Sequence, residues 1–190
     1  MSEEKRHHIR IYDHILLRLK PLKREEFEKK LENFREGKEK PWIDPIRPPG
    51  EVVKFESYLK RLREKDRELA GIMQILNQKL DRILIHLLGD DFLKGFQEVE
   101  ANLSAGGLRV RLEEEPAVGD LYEIDLGLLP EWLFLKTFGE VVRVENCTDS
   151  ECDVAFKFIW ITEADQDKLV QHVFRQQVLQ LQASRRVKKA

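Results

Sequence analysis

The chain is poor in cysteine: Cys147 and Cys152 are the only 2 in 190 residues, flanking the stretch TDSE. A structural zinc site takes about four ligands, and no Cys or His pair with ligand spacing stands near them, so no metal site is expected. In a reducing compartment the two read as free thiols on either side of a hairpin turn. Long apolar runs are missing too. None approaches the roughly 20 residues of a membrane span, and the opening MSEEKRHHIR lacks the apolar core of a secretory signal. A cytoplasmic protein is expected. Neither sign of charge dominates: 33 Lys+Arg face 35 Asp+Glu, a net charge of −2. That excludes a basic field over the whole surface, so nucleic acid is not an expected partner. Catalytic signatures are also absent, with no nucleophile–base pair, paired-acid motif or phosphate-binding loop. No enzyme is expected.

What is present is 42% hydrophobic and 36% charged, enough for one domain with an extension or two small ones. From Ile9 to Leu19 the odd positions are apolar, broken only by Asp13. That is strand periodicity, which Pro21 is expected to close. Residues 1–20 therefore read as an N-terminal arm and first strand. Residues 21–94 have a different chemistry. A short helix spans 22–36, with Phe27, Leu31 and Phe34 on one face and Gly37 as its stop. A linker over 38–50 carries Pro41, Pro45, Pro48 and Pro49 and excludes regular structure.

Residues 51–88 then hold a heptad pattern for about five repeats. With Leu59 at position a, the seam is Phe55, Leu59, Leu62, Asp66, Leu69, Met73, Leu76, Leu80, Ile83 and Leu87. Asp66 is its one polar member, a residue type that fixes register. One continuous coiled-coil helix over this span would be about 55 Å long. The short helix can cover less than half of such a stripe, so a homo-oligomer is expected. Ile72 and Leu84 widen the seam, favouring a tetramer over a dimer.

From residue 95 to 183 strand periodicity returns. Val99, Ala101 and Leu103 alternate, then Leu108, Val110 and Leu112, then Tyr122, Ile124 and Leu126. The stretch WLFLKTFGEVVRVE reads as a long strand with a bulge at Gly139. Val154, Phe156, Phe158 and Trp160 follow. Thr162 is an N-cap with Asp165 in the capping-box position, opening a helix that carries Leu169, Val173, Val178 and Leu181 on one face. Residues 184–190 form a basic tail. The fold class is α+β: a six-stranded antiparallel barrel with a C-terminal helix, plus a long inserted heptad-repeat helix after the first strand.

Between two of these strands lies ANLSAGGLRV, residues 101–110. Asn102, Ser104 and Gly107 follow the pattern Asp/Asn-x-Ser-x-x-Gly. Directly before the first strand, Arg6 and Arg10 supply Arg-x-x-x-Arg. Together with GEVVRVE (139–145) and the closing strand and helix (153–177), this resembles the PilZ domain family over roughly residues 4–20 and 95–182. Lys5 and Ala155 depart from residues common in that family, and the inserted helices have no counterpart in a minimal PilZ domain. A second Arg-x-x-x-Arg, Arg63 and Arg67, falls on the charged flank of the long helix and reads as solvated surface.

The resemblance implies a receptor for cyclic di-GMP, held by Arg6, Arg10, Asn102, Ser104, Gly106 and Gly107, with no further cofactor. It also implies a bacterial signalling role with motility, pilus or biofilm output and a protein partner in that machinery. The residue chemistry fits such a ligand. Arginine forks onto O6 and N7 of guanine, stacks on the base and pairs with phosphate. Asn102 and Ser104 offer short donors and acceptors, and the paired glycines permit positive φ and close backbone approach. The alternatives are a PilZ-like adaptor that binds no nucleotide, and a coiled-coil scaffold gripping nucleic acid through KRHHIR and RRVKK.

Overall fold

A computed structural model of the chain describes residues 9–36, 49–88, 90–148 and 150–187. Six antiparallel strands close into a barrel: β1 (Arg10–Leu22), β2 (Gln97–Ser104), β3 (Gly107–Leu112), β4 (Leu121–Leu128), β5 (Leu133–Glu145) and β6 (Cys152–Ile161). Their order around the barrel is β1-β2-β3-β6-β5-β4. Closure gives every strand a neighbour on both sides. The period of two sends Ile11, Ile15, Leu103, Leu108, Ile124 and Val154 inward, where each is at most 3% exposed. Leu169 and Val173 of α5 (Glu163–Val187) join the same apolar cluster and plug the barrel. The α5 N-cap forms as expected, Asp165 N–H donating to Thr162 Oγ1 at 3.1 Å. The Asp165 carboxylate instead accepts from Lys168 at 2.9 Å. Val178 and Leu181, expected on the same face as Leu169 and Val173, lie 36% and 53% exposed.

The first strand passes through Pro21, against expectation, and ends at Leu22. Its pairing with β2 stops at Leu17, whereas its pairing with β4 continues to Leu22. The missing N–H of Pro21 therefore falls where only one neighbour remains. On β5 the ladder shifts register between Phe138 and Gly139, as expected, and again between Val141 and Arg143.

Between β1 and β2 the chain makes a helical excursion. α1 (Arg24–Arg35) lies on the barrel's outer surface rather than on the other helices. Its Phe27 and Phe34 meet the Phe138 ring at 5.6 and 5.8 Å, and Phe34 meets Trp160 at 4.8 Å. Residues 37–48, which hold Gly37 and most of the Pro-rich linker, lie outside the described residues. Pro49 and Gly50 already belong to α2 (Pro49–Lys65).

The single long heptad helix does not form. The chain breaks at Asp66 into α2 and α3 (Arg67–Leu88). Asp66 is not a polar seam residue but a cap: its Oδ1 accepts the Leu69 N–H at 2.9 Å, the bond that favours Asp at a helix start. Arg63 reaches Gln74 Oε1 at 2.7 Å, although a straight helix would separate residues eleven apart by about 16 Å. α2 and α3 are thus bent sharply together, with Leu59 and Ala70 buried around the break. Phe55 and Leu62 are half-buried. The rest of the seam, Leu69, Met73, Leu76, Leu80, Ile83 and Leu87, is 40 to 73% exposed in the single chain. A short turn of helix, α4 (Asp90–Leu93), follows, and Phe92 and Phe96 pack on Phe134 of β5.

Candidate ligand-binding site

Strand register brings the described members of the expected site together. Across β1 and β2, Arg10 stands opposite Ser104 and Tyr12 opposite Asn102. Across β2 and β3, Ser104 stands opposite Gly107 and Asn102 opposite Arg109. Across β3 and β6, Gly107 stands opposite Lys157 and Arg109 opposite Ala155. Opposed residues in an antiparallel pair lie about 4.5–5.5 Å apart at Cα. Since Ile11, Leu103 and Leu108 point inward, all of these residues share the outer face. The excursion over residues 23–96 therefore returns the chain to β1, with Arg10 beside the glycine corner. Arg6 lies outside the described residues.

The corner is a two-residue connection, Ala105 and Gly106, between Ser104 and Gly107. Ser104 donates its hydroxyl to the Gly107 carbonyl at 3.1 Å, and the Phe158 N–H donates to the Gly106 carbonyl at 3.0 Å. Gly107 is needed for contact distance, not for the positive φ expected of it. A Cβ there would lie 2.2 Å from the Phe156 carbonyl oxygen. Bare backbone at this position is what lets β6 approach the corner.

Beside the corner, the outer face forms a concavity of about 420 Å³ whose polar lining is Tyr12, Glu100, Asn102, Arg109, Arg111 and Asp153. Asp153 accepts hydrogen bonds from Asn146 at 2.9 Å and Arg111 at 3.3 Å. The Asn146 amide first, then Arg111, holds its carboxyl below the usual range. Arg111 also lies 3.8 Å from Glu151. Among the described residues Arg10 and Arg109 have no ion-pair partner. Tyr12, Arg109 and Arg111 escaped the motif-based reading, although their even or odd parity with Asn102 and Gly107 was available as a signal.

A second polar constellation fixes α5 beside this face. His172, 3% exposed, sits with Nε2 2.6 Å from Asp13 Oδ2 and Nδ1 3.1 Å from Glu131 Oε2. Arg175 donates to Glu131 Oε1 at 2.6 Å. Burial works against a charged ring, but hydrogen bonds to the two carboxylates outweigh it and raise the His172 pKa to about 8. Burial likewise opposes the Glu131 charge, yet His172 and Arg175 hold that carboxyl at about 2. Asp13, the odd polar residue on the inward face of β1, is thereby explained. Farther along α5, Gln180 donates to the Tyr12 carbonyl at 2.7 Å.

Cys147 and Cys152 are not free thiols: they form a disulfide across the β5–β6 turn. The hairpin sets them side by side, with the Thr148 N–H donating to the Glu151 carbonyl at 2.8 Å. Glu115 approaches both sulfurs, but sulfurs bonded to each other are not the thiolates a metal requires. The second arginine pair, Arg63 and Arg67, is exposed at the α2–α3 break. Among the described residues, no helix is long and apolar enough to cross a membrane.

Barrel order, closing helix and the Asn102–Gly107 corner now stand together, and residues 82–175 match the family model of the PilZ domain. The chain carries a PilZ domain. The match includes the Asn102–Gly107 corner and begins after β1, so Arg10 joins the PilZ domain through the β1–β2 pairing. No curated protein matches the chain. Among solved structures, the chain is similar to a tetrameric PilZ-domain protein from Xanthomonas campestris, described as pathogenic and self-assembled through an unusual helical bundle. The TM-score is 0.53 at 16% identity, over 93% of this chain and 92% of that one. Another similarity is to the inhibitor of motility MotI/DgrA of Bacillus subtilis, with TM-score 0.39 and 24% identity over 45% of this chain and 44% of that one.

Proposed function

We propose that this PilZ domain is a cyclic di-GMP receptor that acts by binding rather than catalysis. The observation that carries the reading is the pairing of Arg10 with Ser104, one step from Asn102 on the same outer face. A ligand with two guanines and two phosphodiesters needs planar cations and short polar groups together, and this corner supplies both. Arg6 and Arg10 would clasp it from the arm, Asn102 and Ser104 would meet base edges, Gly106 would leave room for it, and Gly107 would hold β6 against the corner. Binding at this corner would turn second-messenger level into a changed surface.

The output we assign is motility, pilus or biofilm control through an assembly of several chains. Nine large apolar residues of α3, the six of the seam among them, are exposed on a single chain, more than a soluble monomer ordinarily leaves open. The similar Xanthomonas protein assembles as a tetramer through a helical bundle, and a homo-tetramer through α3 is the form we favour over a dimer. A second reading, a PilZ adaptor that binds protein and no nucleotide, is favoured by one feature. Val170, Phe174, Val178 and Leu181 make a stripe on the outer side of α5, 36 to 60% exposed.

Calorimetric titration with cyclic di-GMP separates the two. A receptor binds at micromolar or tighter affinity and loses binding in Arg10→Ala and Ser104→Ala. Absence of heat from a folded sample selects the adaptor.

A further inference from the structure

β3 carries two outward arginines, and they are not equivalent. Arg111 is engaged by Asp153 at 3.3 Å and by Glu151 at 3.8 Å. Arg109 has no ion-pair partner among the described residues and stands exposed at the wall of the concavity. Across from it, two strands away in the same cross-strand row, stands Tyr12, 59% exposed. Asn102 lies between them and is the shorter side chain, so the row has two tall sides and a low floor. Ala155, on the far side of Arg109, adds only a methyl group. An unpaired guanidinium, an exposed phenol ring and a carboxamide around one cavity are a set suited to a purine base.

We propose that Tyr12 and Arg109 are the base-selecting residues of this face, Tyr12 giving a plane for stacking and Arg109 reading the guanine edge. This rests on the cyclic di-GMP reading above and goes beyond its motif residues. The selectivity follows from donor and acceptor patterns. Guanine presents two acceptors, O6 and N7, on the edge that an arginine fork matches. Adenine replaces O6 by an amino donor, which faces a guanidinium donor to donor. Arg109 therefore favours a guanine dinucleotide over an adenine one. A lysine there would keep the attraction for phosphate but lose the fork. Asp153 attracts Arg109 only at longer range: its oxygens accept from Arg111 and Asn146, and it makes no ion pair with Arg109.

The test is calorimetric titration of the full chain with cyclic di-GMP and with cyclic di-AMP, on wild type, Arg109→Ala, Arg109→Lys, Tyr12→Ala and Arg10→Ala. Wild type is expected to prefer the guanine ligand, and Arg109→Ala and Arg109→Lys each to lose roughly 10- to 100-fold of that preference. Tyr12→Ala weakens both ligands, since stacking serves either base. Wild-type affinity and preference in the Arg109 variants, alongside lost binding in Arg10→Ala, overturn this inference and leave the receptor intact. If wild type binds neither dinucleotide, the receptor reading falls, and the inference with it.

Discussion

On the barrel's outer surface over β4 and β5, Phe138 is fully buried beneath Phe27 and Phe34 of α1, and Glu123 and Asp125 are 8% and 4% exposed. Each of these carboxylates is paired: Glu123 with Lys30 and Lys136, Asp125 with Arg18 at 2.8 Å. Burial disfavours the Glu123 charge, but Lys136 and Lys30 still hold its carboxyl below the usual range. Over β2 and β3 the same kind of outward position carries Arg109, Asn102 and, across the ladder, Arg10, and among the described residues no helix is laid over them and neither arginine has an ion pair. One face pairs its carboxylates with cations of the same chain. The other offers cations and hydrogen-bonding groups to something outside the chain. Charged residues on a strand become structural or available according to whether a helix covers them.

The contrast is broken most forcefully at Phe138. Phe138→Ala should cost about 3–5 kcal/mol, the loss typical of a buried ring with its cavity, read by chemical denaturation. Ligand affinity of the folded fraction should survive. Equal stability in this variant would mean that α1 does not cover the barrel as described.

The next effect is one of pH. His172 has its folded-state pKa raised from the ordinary 6.5 to about 8. Its contribution is complete below about pH 6.5 and fades as pH rises through 8, by on the order of 2 kcal/mol. Glu131, depressed to about 2, contributes above its ordinary pKa and loses that contribution as pH falls through 2. The two describe one interaction from either side and do not add. Unfolding midpoints measured from pH 6 to 9 should decline in wild type and stay flatter in His172→Gln.

Smallest in stability, but not in consequence, are changes on exposed surfaces. Arg10→Ala and Arg109→Ala should shift stability by no more than about 0.5 kcal/mol, while each weakens the ligand. Leu76→Glu with Leu80→Glu on α3 should likewise leave the unfolding midpoint near wild type and reduce particle mass in light scattering. A mass unchanged from wild type would place the assembly contact elsewhere.

The six strands, the closing helix and the Thr162 cap were legible because each depends on local periodicity or on a short-range hydrogen bond. The site corner was legible through its spacing, and the register of β1 on β2 brings its described members together. What escaped were features set by partners distant in sequence. Asp66 suits a seam and a cap equally well, and only the course of the chain decides between them. The disulfide depends on how the β5–β6 turn aligns two sulfurs. His172 lies within an apolar helical face, and its partners Asp13 and Glu131 are 159 and 41 residues away. Pro21 reads as a strand end unless it is known that β2 has already departed. Arg109 and Tyr12 carry no motif, and only the cross-strand row puts them around one cavity.

The claim that the uncovered face is the binding face is tested most directly by hydrogen–deuterium exchange with and without cyclic di-GMP. Protection confined to peptides spanning 9–13 and 101–111, with 24–35 and 134–138 unchanged, is the expected result. Exchange unaltered over 101–111 at saturating ligand, or protection centred on α1, would contradict it.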